Sequence, residues 1–182
     1  MQIHNRFEVP MAPDEAWRFL MDIASTVPCF PGAELVEKTD EDNYRGRVTV
    51  KLGPLAMVFN GKLRIEDRDE AARSATVRAS WTESKGRGNA ITVTRFAMHQ
   101  SDVGAGTAVD IDTDVQLAGQ VAQYGRGVGV MADISAQLVS KFAENLRASI
   151  GADAGDAPAR SDIGGARLLG RALLNRVRKP SS

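Results

Sequence analysis

Few residues of this 182-residue chain have the type and spacing that catalysis or metal binding needs. Its two histidines, His4 and His99, lack the close spacing to other His, Asp or Glu residues that is typical of metal sites. The single cysteine, Cys29, excludes an intramolecular disulfide, and no His or Asn stands near it in sequence to activate its thiol. We therefore expect structural or surface roles for these residues, and no nucleophilic catalysis.

Two further clusters invite a functional interpretation that we do not favour. Asp110, Asp112 and Asp114 alternate along a predicted strand, so they share one face of it. Like charges on one face repel unless a cation or a basic neighbour intervenes, and a solvated outer face is the simpler interpretation than a calcium site. Residues 125–129, G-R-G-V-G, have the wrong spacing for a phosphate-binding loop and lack a strand–helix–strand context.

Large and soft apolar side chains on the predicted inward faces are more informative. A strongly bent sheet over one helix tends to leave a cavity, and methionine side chains adapt to irregular ligands. We therefore predict a cavity for an apolar small molecule, the alternative being an ordinary packed core. The predicted ligand-binding residues are Met57, Phe59, Trp81, Phe96, Met98, Tyr124, Val128 and Met131.

The elements that position these side chains follow from hydrophobic periodicity. A first strand over residues 3–9 ends at Pro10, and an amphipathic helix begins at Pro13 and continues through Ala24. Period-two alternation then predicts five more strands, and the short turns between them indicate antiparallel hairpins. These strands are predicted at about 44–52, 55–65, 77–81, 90–98 and 109–117.

A long helix is predicted from Gln120 to Gly151, with one apolar side that would cover the sheet. This order of elements predicts an α+β helix-grip fold over residues 1–150, in which a curved antiparallel sheet wraps around a long C-terminal helix. Residues 151–160 are small, polar and proline-bearing, which is typical of a flexible linker.

The charge distribution divides the chain at this linker. The net charge is zero, but residues 160–182 contain six basic residues and one acid, so they carry +5 and leave −5 on residues 1–159. This split excludes a uniformly basic nucleic-acid-binding protein. We predict that residues 161–182 form a basic amphipathic helix and tail, with its apolar face in the membrane interface and its arginines near anionic head groups.

The alternative is that this helix docks on the body of the protein or on a partner protein. Its predicted apolar membrane-binding residues are Ile163, Leu169, Leu173, Leu174 and Val177, and its basic ones are Arg167, Arg171 and Arg178. The N-terminus lacks a basic region followed by an apolar run, and no stretch approaches the roughly 20 apolar residues that span a bilayer. We expect a cytoplasmic protein that associates peripherally with the inner face of the cell membrane.

Six short motifs, in this order, resemble the carbon monoxide dehydrogenase CoxG family of the START-like (SRPBCC) superfamily across residues 1–150. In this family two glycines usually stand where this chain has Ala118 and Gly119. The motifs are A-P-D-E-A-W at 12–17 followed by Leu20 and Asp22, C-F-P-G-A-E at 29–34, V-K-L-G-P at 50–54, F-N-G at 59–61, the pair Gly86 and Gly88, and L-A-G-Q-V-A-Q-Y-G at 117–125.

The resemblance implies a non-enzymatic accessory protein of a molybdenum-containing CO dehydrogenase-type hydroxylase. Such proteins tether the enzyme to the membrane and handle an apolar ligand, here menaquinone or ubiquinone as a carried molecule rather than a tightly bound cofactor. Two alternatives are a ligand-free adaptor or maturation factor for the hydroxylase, and a START-like enzyme. An enzyme would need polar groups converging in the cavity, whereas the inward strand faces are mostly apolar.

Overall fold

A computed structural model describes residues 1–52, 55–126 and 128–155, with only the backbone described at residues 52, 55, 124–130 and 151–155. In chain order the elements are β1 (Gln2–Val9), α1 (Pro13–Met21), α2 (Ile23–Thr26), a first 3₁₀ turn (Val27–Cys29), β2 (Ala33–Lys38), β3 (Asn43–Leu52), β4 (Leu55–Asp69), β5 (Ser74–Glu83), β6 (Gly88–Gln100), β7 (Thr107–Gly119), a second 3₁₀ segment (Gln120–Arg126) and α3 (Val128–Gly155).

The strands form one sheet in the order β1-β7-β6-β5-β4-β3-β2, and all neighbouring pairs are antiparallel. Strands β2 to β7 follow one another as hairpins, whereas α1 and α2 connect β1 at one edge of the sheet to β2 at the other. The helix α3 follows β7 and packs on the side of β1. This architecture confirms the predicted α+β helix-grip fold.

One strand, β2, is missing from the sequence-based prediction, which contains six strands where the described residues form seven. It is an edge strand, and a β-bulge between Leu35 and Glu37 interrupts the alternation of its side chains. Val36, at the bulge, is 58% exposed. Because an edge strand with a bulge buries few side chains, its sequence lacks the period-two pattern that marks the other strands.

The predicted first helix is two helices, because the backbone of Asp22 leaves the helical region with φ −80° and ψ 91°. Its carboxylate accepts hydrogen bonds from the backbone N–H of Ala24 at 3.2 Å and from the hydroxyl of Ser25 at 2.7 Å. This N-cap satisfies donors at the start of α2, so the chain bends there at little cost.

The last helix differs from the prediction at both ends. A 3₁₀ segment occupies residues 120–126, and the α-helix proper begins at Val128. It continues to Gly155 rather than ending at Gly151, so the first half of the predicted linker is helical. Alanines at 152 and 154 have high helix propensity and explain this extension. The predicted tail helix at 161–182 lies outside the described residues.

The C-terminal half of α3 is firmly seated between β1 and the first 3₁₀ turn. Leu146 has no exposed surface, and the ring of Phe142 meets that of Phe7 edge to face at a centroid distance of 5.5 Å. The side-chain amide of Asn145 donates to the carbonyl oxygen of Cys29 at 3.0 Å. The guanidinium of Arg147 donates to the carbonyl oxygen of Glu8 at 2.7 and 3.1 Å.

The N-terminal half of the same helix packs less completely. Met131, Ser135 and Leu138 belong to the same apolar stripe as Phe142 and Leu146, yet they are only half-buried. The helix therefore closes one end of the sheet and leaves space along the other part.

This uneven packing predicts unequal costs for truncating two leucines of α3. Leu146→Ala should lower the free energy of unfolding by about 2–5 kcal/mol, because it leaves a cavity among fully buried neighbours. Leu138→Ala should cost about half as much, because less of this side chain is removed from water in the folded protein. Urea unfolding followed by circular dichroism measures both values. Equal losses would mean that α3 is evenly seated along its length.

Candidate ligand-binding site

Two apolar clusters occupy the inner face of the sheet. The first lies under α1 and the seated half of α3 and includes Trp17 and Met98, with Phe96 packed against it. The rings of Trp17 and Phe96 are 6.4 Å apart between centroids. The second cluster is built on Met57, Phe59 and Val121 at the other end of the sheet. Its partly buried members are Val48, Val50, Trp81 and Leu117.

The predicted ligand-binding residues are divided between these clusters. Phe96 and Met98 belong to the first cluster, whereas Met57, Phe59 and Trp81 belong to the second. Met131 is half-buried on α3. The side chains of Tyr124 and Val128 lie outside what the structure describes. The two groups are therefore not brought together as one compact lining, and contact of these residues with a ligand stays a prediction.

The inner face between the clusters is incompletely covered. Leu63 and Val77 point inward, as their strand partners Ala79 and Ile65 do, but they are only half-buried. Half-buried side chains of α3, among them Met131 and those named above, lie on the stripe that faces the sheet. Apolar side chains that remain partly exposed on both sides define a groove, which we call the α3 groove.

Polar side chains line part of the α3 groove and hydrogen-bond to one another. The hydroxyls of Thr94 and Thr113, which are cross-strand partners, lie 3.2 Å apart. The side-chain amide of Asn5 donates to the hydroxyl of Ser135 on α3 at 2.9 Å. The groove thus offers hydroxyl and amide groups between apolar walls, a composition suited to a mainly apolar ligand with one or two polar atoms. These inward polar residues were not identified from the sequence, although period-two counting from their apolar neighbours would have found them.

A buried ion pair closes the β5–β6 turn beside the second cluster. The Glu83 side chain is fully buried, and Arg87 donates to its Oε1 at 2.8 Å. The backbone N–H groups of Lys85 and Arg87 donate to Oε2 at 2.9 and 3.2 Å. The hydrogen bond from Arg87 is the main reason that the pKa of Glu83 falls to about 2. Glu83 is the cross-strand partner of Phe59, so this turn supports the end of the second cluster.

A pair of glycines lets the ends of β6 and β7 come together beside this turn. Gly88 and Gly119 are cross-strand partners with φ of 143° and 74°. A Cβ on Gly119 would lie 2.8 Å from the Cα of Gly88, and one on Gly88 would overlap the carbonyl oxygen of Ala118. Ala118 itself is exposed. Of the two positions where the family usually has glycine, 118 and 119, the chain therefore keeps it at the one where the backbone requires it.

Gly61 has a different role, because it accommodates the indole of Trp81. The two residues are cross-strand partners, and a Cβ on Gly61 would lie 2.8 Å from Cδ2 of Trp81 and overlap the ring at Cε3. The F-N-G motif thus places a large aromatic side chain flat on the inner face of the sheet.

The outer face of the sheet carries the acidic row in paired form. Asp110 lies 3.7 Å from Arg6 and 3.6 Å from His99, and Asp112 is paired with His4. Asp114 accepts from Arg95 at 2.9 Å, and this hydrogen bond lowers the pKa of its carboxyl group. Basic neighbours on β1 and β6 thus offset the repulsion, as the solvated-face interpretation requires. Within the described residues, no three His, Cys, Asp or Glu side chains are grouped to hold a metal ion.

Cys29 is buried, and its thiol donates to the carbonyl oxygen of Ser25 at 3.8 Å. Burial raises the pKa of this thiol, which favours the protonated, unreactive form. The structure thus agrees with the structural role predicted for it.

A further pocket of about 560 Å³ lies beneath α1 and α2, at the ends of β2 to β4. None of the eight predicted ligand-binding residues is among the described side chains that line it. Residues that the sequence prediction missed here are Trp17, Met21, Leu35, Lys38, Tyr44 and Arg68.

The buried ion pair predicts a pH-dependent contribution to stability. The pKa of Glu83 in the folded protein, about 2, is below its ordinary value of 4.5, so its charge stabilises the fold fully above pH 4.5 and progressively less as the pH falls toward 2. Glu83→Gln should therefore lower the urea midpoint at neutral pH, and its difference from the unmodified protein should shrink across that range. Glu37→Gln, which removes an exposed ion pair with Arg45, is the control and should change the midpoint little. A Glu83→Gln difference that is constant with pH would contradict the prediction.

A seven-stranded antiparallel sheet with an apolar inner face, gripping a long C-terminal helix, defines a START-like helix-grip protein. The model of the carbon monoxide dehydrogenase CoxG family matches residues 6–151, and the chain belongs to this family. This finding confirms the resemblance seen in the motifs. No curated protein matches the sequence. Among the described residues, no helix is long and apolar enough to cross a membrane.

Solved structures support the fold. A conserved protein from Geobacillus kaustophilus is similar with a TM-score of 0.70 at 17% identity, over 84% of this chain and 97% of that one. A protein from Mycobacterium smegmatis has a TM-score of 0.58 at 16% identity, covering 84% and 92% of the two chains. A Thermus thermophilus protein has a TM-score of 0.57 at 13% identity, covering 84% and 99%. At these identities the likeness concerns the fold alone.

Proposed function

We propose that this protein is a non-enzymatic accessory protein of a CO dehydrogenase-type molybdenum hydroxylase. In this proposal it carries a quinone, menaquinone or ubiquinone, in the α3 groove and attaches the enzyme to the membrane through its C-terminal segment. Membership of the carbon monoxide dehydrogenase CoxG family supports the enzyme partner. The observation that carries the ligand-binding role is the uneven packing of α3 over the sheet.

This packing leaves apolar surface that a ligand can cover. Leu63 and Val77 on the sheet and Leu138 on the helix are half-buried although they face the interior. Full burial of such a side chain is worth about 1.5–3 kcal/mol, so a molecule that fills the groove gains free energy that the protein alone leaves unrealised. The seated end of α3 would hold the helix in place while its other half borders the ligand.

A quinone matches the chemistry of this groove. Its ring carbonyls are hydrogen-bond acceptors, and the hydroxyls of Thr94, Thr113 and Ser135 and the amide of Asn5 are donors on the groove wall. Its isoprenoid chain is apolar and would extend toward the second cluster. The predicted contacts of the chain there are Met57, Phe59, Trp81, Tyr124, Val128 and Met131.

The charge division of the chain supports membrane attachment by the tail. A body with −5 is repelled by an anionic membrane, whereas the +5 segment from residue 160 is attracted to it. Its predicted apolar face, built on Leu169, Leu173 and Leu174, would enter the interface. One short helix gives reversible attachment.

The carrier role is tested by filling the α3 groove. Organic extracts of the purified full-length protein should contain a quinone by mass spectrometry, and Val77→Trp should lower its amount about tenfold because the added ring occupies the groove. The control is Ser80→Trp, since Ser80 is exposed on the opposite face of the same strand. Absence of quinone from the unmodified protein, or equal loading of the two variants, would count against the carrier role. Co-purification of a hydroxylase with quinone-free protein would favour the ligand-free adaptor.

The membrane role is tested on the full-length chain by removing charge from the tail. Replacing Arg167, Arg171 and Arg178 with glutamine should weaken binding to vesicles containing anionic lipid about a hundredfold, at about 1 kcal/mol for each arginine. Flotation on a density gradient measures the bound fraction. A variant with glutamine at the exposed sheet residues Arg45, Arg47 and Arg95 has the same net charge and should float like the unmodified protein. The tether proposal fails if both triple variants float equally.

A further inference from the structure

Two β-bulges turn two basic side chains toward the inner face of the sheet. In β2 the register shifts between Leu35 and Glu37, so that Lys38 becomes the partner of the buried Tyr44. Uninterrupted alternation from Leu35 would place Lys38 on the outer face. A bulge adds one residue to one strand and reverses the facing of the residues after it.

The same change occurs in β4. Its register shifts between Ile65 and Asp67, and Arg68 becomes the partner of the buried Ala75. Both Ile65 and Ala75 face inward, so without the bulge Asp67 rather than Arg68 would share their face. Bulges interrupt the hydrogen-bond ladder, and they recur next to functional sites where they redirect a side chain.

Both redirected side chains line the pocket beneath α1 and α2. Its volume, about 560 Å³, lies within the roughly 300–1,000 Å³ that is typical of small-molecule sites. Its apolar walls come from Trp17, Met21, Leu35 and Tyr44. Arg18 contributes a third positive charge from α1.

The charges in this pocket favour an anion. Two acids, Asp22 and Glu70, also line it, against three basic residues. Asp22 is already engaged as the N-cap of α2. Arg68 donates to Asp42 at 2.9 Å through one Nη atom, and its planar guanidinium has five N–H donors in total. The Nζ atom of Lys38 lies 5.8 Å from the centre of the Tyr44 ring, which places positive charge beside an aromatic wall.

We propose that this pocket binds a small organic acid with an aromatic body. Its carboxylate would pair with Lys38 and Arg68, and its ring would pack against Trp17 and Tyr44. The site shares no residue with the α3 groove and does not depend on quinone binding there. A neutral molecule would gain nothing from the two cations that the bulges direct inward.

Isothermal titration of the full-length protein with 2-naphthoate and 2-naphthol at neutral pH and low salt tests this proposal. The two probes have the same aromatic body, but only the acid is charged. We expect the acid to bind about tenfold more tightly, and Lys38→Gln and Arg68→Gln each to weaken its binding about threefold without changing that of the alcohol. The control is Lys62→Gln, because Lys62 is exposed on the outer face of β4 and should leave the affinity for both probes unchanged.

Several results would overturn the proposal. They are equal affinity for acid and alcohol, no detectable binding of the acid, an equal effect of Lys62→Gln, and loss of both probes in Lys38→Gln and Arg68→Gln alike. Quinone content of the Lys38→Gln protein separates the two sites, because it should match that of the unmodified protein whether or not the acid binds.

Discussion

The seating of the C-terminal half of α3 on β1 and the first 3₁₀ turn is the interaction on which the rest of the structure depends. It joins the beginning and the end of the described chain, since Phe7 meets Phe142 and the Glu8 carbonyl receives Arg147. Because Leu146 is fully buried there, the helix cannot move closer to the rest of the curved sheet without losing this contact. The α3 groove is the consequence of anchoring a straight helix at one end of a bent surface.

The other end of the helix is constrained through the chain that leads into it. Gly88 and Gly119 bring β6 and β7 together, and the backbone N–H of Val121 donates to the carbonyl oxygen of Arg87 at 3.1 Å. The buried pair of Glu83 and Arg87 holds that turn. The second 3₁₀ segment is therefore tied to the β5–β6 turn, which places Val121 in the second cluster. Two anchored ends with an incompletely covered middle suit a binding protein better than a closed core would.

Sequence patterns predicted the parts of this structure that repeat regularly. Five of the six hairpin strands, the outward acidic row and the long helix follow from alternation and helical spacing, because burial on one face imposes a period on the residue types. The edge strand β2 lacks that period and was missed. Inward-facing site residues such as Met57 and Met98 were recognised as inward, but their assignment to two different clusters depends on strand order and distance, which a pattern within one strand does not contain.

By itself, the sequence determined the class of fold, the antiparallel order implied by short turns, and the opposite charges of body and tail. Only the tertiary structure decided which basic residues face the interior. Lys38 and Arg68 point inward because bulges shift the register of β2 and β4, and register depends on hydrogen bonds with neighbouring strands. A shift of one residue reverses the facing of every side chain after it, so no pattern of residue types along a single strand reveals the pocket beneath α1 and α2.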